Sequence, residues 1–83
     1  MKIIKIEWVD AETIGDNAWQ ELEGAIEYAK NDPPIMITVG FLLHECGTHM
    51  SVTESVGSQE CGHVTKIPVE MIKTMKELVE NEM

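Results

Sequence analysis

The chain contains no arginine. Arginine is the side chain best suited to bidentate phosphate contacts. Six lysines face fifteen acidic residues, which gives a formal charge of −9 with neutral histidines. Gripping many phosphates over a broad surface needs the opposite balance, so long nucleic acid is not an expected partner. A small anion remains compatible, because a few lysines, histidines or backbone N–H groups suffice to hold one locally. The acidic surface also favours solubility.

Cysteine is nearly as scarce. Cys46 and Cys61 are the only two, too few for a disulfide framework. The opening MKIIKIEW lacks the long apolar run and small-residue cleavage site of a secretory leader. The expected setting is therefore a reducing cytoplasm, with thiols free or metal-bound. No apolar run approaches the roughly 20 residues that span a bilayer. Aromatic residues number four: Trp8, Trp19, Tyr28 and Phe41. Eighty-three residues make one domain, 1–83. A chain this short hides only about 60–65% of its unfolded surface, and oligomerisation is a common remedy for so thin a core.

What the chain does have is alternation. In residues 2–9, Ile4, Ile6 and Trp8 share one face, which predicts a strand with that face buried. Gly15-Asp16-Asn17 reads as a helix start, with either polar residue as cap. Trp19, Leu22, Ile26 and Ala29 then follow helical spacing, so a helix is expected over 16–30, with Trp8 and Trp19 packing between strand and helix. Gly24 weakens that helix, and Pro33-Pro34 ends it.

Residues 35–43, IMITVGFLL, are apolar on both faces and β-branched, which suits a long strand bent at Gly40. His44 to Thr48 makes a hairpin turn around Gly47. Met50, Val52 and Val56 alternate with Ser51, Thr53 and Ser55, predicting one buried and one wet face. Residues 57–60 form a polar loop, and 61–67 the next strand. At the end, Met71, Ile72, Met75, Leu78 and Val79 follow helical spacing, so periodicity alone reads 69–81 as helix.

The stretch VGFLLHECGTHMSVTES resembles the first signature of the Sm-like small barrels: a Gly-containing apolar strand, an acidic turn and an alternating strand. CGHVTKIPVEMIKTM is similar to their second signature. The resemblance covers residues 35–80, with Met1 to Val9 as first strand. It implies a mainly β (α+β) fold: a five-stranded Sm-like or SH3-like small barrel with one helix inserted between the first two strands. It also implies a one-turn bend at Pro68 to Met71 and a final short strand, in place of the terminal helix. RNA-binding members carry Asn in the turn and Arg-Gly near the end of the fourth strand. Here those places read Gly47-Thr48-His49 and Lys66-Ile67-Pro68, so the usual RNA pocket is not implied. IEWVD, Trp19, VGFLLHE and CGHVTKIPVEMI together resemble a family of short bacteriophage-encoded proteins of no assigned activity.

Two clusters carry candidate chemistry: His44, Cys46 and His49 in the first and Cys61 and His63 in the second, with His44/Cys46 and Cys61/His63 each placed on one strand face by i, i+2 spacing. His44, Cys46, Cys61 and His63 make up the two-Cys, two-His set of a tetrahedral zinc site, although their spacing departs from the usual patterns. Against this stands the plainer reading of two small thiols and three surface histidines. Cys61 and His63 hold a nucleophile and a base, but i and i+2 side chains on a strand lie roughly 6–7 Å apart, too far for a direct hydrogen bond. No enzyme is expected, and no cofactor.

Candidate ligand-binding residues are Trp8 and Asp10, able to stack on and hydrogen-bond a base, with His44, His49, His63 and Lys66 for an anion. With the phage resemblance, these predict a homo-oligomeric counter-defence protein that sequesters a host nucleotide-derived immune signal. Two alternatives stand beside it: an acidic inhibitor of a host nucleic-acid-binding enzyme, and a zinc-stabilised structural module.

Overall fold

The computed structural model describes residues 1–15 and 18–80. Among the described residues, five strands run in the order β1 (Ile3–Val9), β2 (Ile35–Glu45), β3 (His49–Thr53), β4 (Val64–Pro68) and β5 (Ile72–Leu78). One helix, α1 (Leu22–Ala29), lies between β1 and β2, and a 3₁₀ turn at Val69–Met71 separates β4 from β5. All neighbours are antiparallel, in one sheet ordered β4-β3-β2-β1-β5. The sheet is open, with β4 and β5 as its edges. No helix among the described residues is long and apolar enough to cross a membrane.

Register follows from the alternation. Ile4 and Ile6 oppose Gly40 and Thr38 on one side, and Glu77 and Met75 on the other. Directly opposed residues share a face. The inner face therefore carries Ile4 and Ile6 from β1, Met50 and Val52 from β3, and Ile67 from β4, which together form the buried core. Trp8, Leu42 and Ile72 pack against it. The outer face carries Ile35, Ile37 and Val39 along β2, all more than half exposed.

Gly40 sits where β2 and β3 crowd together. A Cβ there would stand 2.7 Å from the Thr53 carbonyl oxygen, so only glycine admits this approach. The break in β2–β3 register falls slightly later, between Leu42 and His44.

Several expectations need correction. The helix begins at Leu22 rather than 16; Asp16 and Asn17 lie outside the described residues, and the cap position is Glu21, with no side-chain cap bond. No residue of α1 is buried, and Trp19 is fully exposed at 101%, so it does not pack against Trp8. Helical spacing gave α1 an apolar stripe but no partner to cover it. The wet face expected for β3 is absent: Ser51 and Thr53 are buried while Val56 is exposed. Thr53 meets the cost of burial by donating its hydroxyl to the Ser55 carbonyl at 3.3 Å. β4 starts at Val64, not at 61. The final segment, by contrast, is the turn followed by a strand that the resemblance implies, with Met75 paired opposite Ile6 of β1. That edge-strand pairing overrides helical periodicity.

Candidate functional site

The β2–β3 turn is built from Cys46, Gly47, Thr48 and His49. The Cys46 N–H donates to the His49 carbonyl at 3.1 Å, closing a tight hairpin. The Val69 N–H donates to the Thr48 carbonyl at 3.0 Å, tying the turn to the 3₁₀ segment after β4. Two ladders thus hold the turn from different sides.

Three potential ligands converge there. Donor atoms of His44, Cys46 and His49 all lie within 4.8 Å of one another. The Cys46 Sγ is 3.6 Å from His49 Nδ1, and the His44 and His49 ring centroids are 5.5 Å apart. The Thr48 hydroxyl bridges the pair, 3.2 Å from Cys46 Sγ and 2.9 Å from His49 Nδ1. The Cys46 thiol is drawn down to about 6, first by the Thr48 hydroxyl, then by the backbone of Thr48 and His49, with His44 adding to the effect. An exposed thiolate flanked by two imidazoles is a nucleophile and a soft metal donor at neutral pH.

Cys61 and His63 do not join this group. Cys61 lies in an isolated bridge with Val56, ahead of β4. The Glu54 carboxylate accepts the His63 backbone N–H at 3.0 Å and stands 3.5 Å from His63 Nδ1. Its pKa falls below the usual carboxylate range, chiefly through its own backbone N–H, then that of His63, with the His63 charge helping. A Cβ at Gly62 would collide with this carboxylate, so glycine is what lets Glu54 reach across.

The other candidates are dispersed. Trp8 donates its indole N–H to the Thr38 hydroxyl at 2.9 Å and lies half-buried on the core. Asp10 accepts the Ala11 N–H at 2.9 Å, and its own N–H donates to the Pro34 carbonyl at 3.1 Å. Both serve the end of β1. Trp8 opposes Met36, and His44 lies eight residues further along the same strand. At about 3.3 Å per residue that is as much as roughly 26 Å, so Trp8 and His44 belong to different sites within one chain. Lys66 is exposed on β4, opposite Ser51.

A cleft of about 550 Å³ is lined by Glu12, Tyr28, Ala29, Asn31, Asp32 and the two prolines Pro33 and Pro34. None of the expected ligand residues borders it, and its two carboxylates repel an anion. Tyr28 donates its hydroxyl to Glu12 across it. A smaller hollow of about 300 Å³ holds Lys73 beside Asp32, Val9, Pro33 and Ile35.

Sequence reasoning groups His49 with His44 and Cys46 but leaves it out of the expected zinc set, which takes Cys61 and His63 instead. The signal was available: a four-residue turn brings its first and last residues face to face, and Cys46 and His49 hold those positions. No family model matches the chain, and no curated protein or solved structure is significantly similar to it.

Proposed function

We propose that this chain is a non-enzymatic binding protein that works as a homo-oligomer, with β4 of one copy set against β5 of the next. The observation that carries this reading is an open sheet whose two edge strands, β4 and β5, have no further strand beside them among the described residues, in an extended chain. Its radius of gyration is 17.3 Å, against about 12 Å for a compact chain of this length. Exposed edges with apolar side chains invite pairing with a further strand. Val64 on β4 and Met75 on β5 are each nearly half exposed. Edge-to-edge pairing would continue the sheet from copy to copy and would create repeated pockets between copies.

The lysines favour a ligand at that seam. Lys66 lies on β4, and Lys73 and Lys76 lie on β5. Half of the chain's six lysines therefore sit on the two edges. Pairing of the edges gathers these cations in an otherwise acidic molecule, where they suit a small phosphate-bearing ligand. The proposed ligand is a nucleotide-derived signal, held and not converted. With the resemblance to phage proteins, its use is sequestration of a host immune signal.

Native mass spectrometry of protein purified from cells tests the assembly, and calorimetry with cyclic oligonucleotides and cyclic ADP-ribose-type ligands tests the cargo. A monomer at micromolar concentration defeats the assembly. An oligomer that gives no heat with these ligands defeats the proposed cargo alone.

A further inference from the structure

We propose that the β2–β3 hairpin is a zinc site, with Cys46, His49 and His44 as its three protein ligands and a fourth position open to water or to a second copy. The spacing of the donors leads to this. Tetrahedral zinc with Zn–S of about 2.3 Å and Zn–N of about 2.0–2.1 Å has an S···N edge of about 3.6 Å. The Cys46 Sγ to His49 Nδ1 distance is 3.6 Å. Two of the three ligands thus already span one edge of the coordination polyhedron. The third donor, from exposed His44, is within 4.8 Å of both.

The fold explains the convergence. Cys46 and His49 are the opposed ends of one tight turn, and opposed Cβ atoms lie about 4.5–5.5 Å apart. His44 opposes Ser51 and so shares the outer face with them. One thiolate and two imidazoles are a borderline-soft donor set, which suits zinc over magnesium or calcium. The Thr48 hydroxyl, 3.2 Å from Cys46 Sγ, fits an outer-shell group that orients the thiolate, and its bond to His49 Nδ1 gives way when that nitrogen takes the metal. The surrounding chain is strongly acidic, which raises the local concentration of a cation. This ligand set uses neither Cys61 nor His63. It is also independent of the seam between copies: the three donors come from one hairpin.

The test uses the full chain, freed of metal with a chelator and titrated with Co²⁺ as a spectroscopic stand-in, then with Zn²⁺ in competition. The expected result is a near-ultraviolet sulfur-to-cobalt charge-transfer band, saturating at one ion per chain or at one per two chains, and bleached by Zn²⁺. Cys46→Ser abolishes the band, and His44→Gln and His49→Gln each weaken affinity at least tenfold. Cys61→Ser and His63→Gln leave it unchanged. Cys46 and His44 are exposed, so far-UV circular dichroism of their variants matches the parent and separates ligand loss from unfolding. A thiolate band that survives Cys46→Ser, one that depends on Cys61, or no band at millimolar Co²⁺ overturns the proposal.

Discussion

The Cys46 sulfur lies 3.6 Å from Nδ1 of His49, across the turn that joins β2 to β3. Thr48 stands between them and is the largest cause of the depressed Cys46 pKa. In metal-free Cys61→Ser protein, alkylation of Cys46 by iodoacetamide should rise through a midpoint near pH 6. Thr48→Val removes a hydrogen bond to the thiolate and moves that midpoint up, toward the roughly 8.5 of an ordinary cysteine. A midpoint left in place by Thr48→Val would show that the hydroxyl is not what stabilises the thiolate.

Glu54 fastens the loop ahead of β4. Its carboxylate holds the His63 N–H, Gly62 donates its N–H to the Ser55 carbonyl at 2.9 Å, and Gly57 donates to the Glu60 carbonyl at 2.6 Å. A carboxylate whose folded pKa is depressed stabilises the fold above its unfolded pKa of about 4.3 and loses that contribution as pH falls through the folded value. Amide hydrogen exchange at Gly62 and His63 should therefore accelerate on acidification below the ordinary glutamate range, beyond the intrinsic pH trend. Glu54→Gln should show the faster exchange already at neutral pH. Equal protection in parent and variant at pH 7 would remove Glu54 from this role.

Much of the sheet was legible because it follows local rules. Alternation in residues 2–9 placed Ile4 and Ile6 on the core, and both are fully buried. The apolar run from Ile35 and the turn at Gly47 also lie where the residues put them, and the 3₁₀ step after Pro68 lies where the resemblance implied it. Elsewhere the deciding forces are not local. Met71, Met75 and Leu78 have helical spacing, yet β5 pairs with β1 from Ile3 to Trp8, with one register shift between Glu7 and Trp8. The apolar spacing of Trp19, Leu22 and Ile26 announced a buried helix face, but burial needs a partner surface that a single chain does not provide. The zinc-type cluster is half visible: His44, Cys46 and His49 group together in the sequence, but the expected ligand set takes Cys61 and His63 in place of His49, whereas turn geometry brings His49 to Cys46 and the Val56 bridge carries Cys61 elsewhere.

Gly40 should tolerate no side chain. The Cβ of Gly40→Ala would meet the Thr53 backbone carbonyl, which cannot rotate aside as a flexible side chain would. Forcing β2 and β3 apart at a core boundary typically costs about 1–3 kcal/mol. For a domain of this size each kcal/mol lowers the melting temperature by roughly 4–8 °C. Thermal denaturation followed by circular dichroism checks this, and an unchanged midpoint would mean that the strands do not crowd at Gly40.

The last prediction separates two ways for copies to meet. Val64 is 49% exposed on the β4 edge, whereas Ile37 is 61% exposed on the outer face of central β2. Surface substitutions at such positions usually change monomer stability by no more than about 0.5 kcal/mol. Either variant should therefore fold, and far-UV circular dichroism verifies it. If the edges join, Val64→Glu sets a charge into the seam and the light-scattering mass falls toward the 9.3 kDa of one chain, while Ile37→Lys leaves the assembly whole. If the apolar stripe of Ile35, Ile37 and Val39 is the contact, the two variants exchange behaviour. The edge arrangement is expected, because an unpaired strand has backbone N–H and C=O groups to satisfy as well as apolar side chains to cover. The outer face offers the side chains alone.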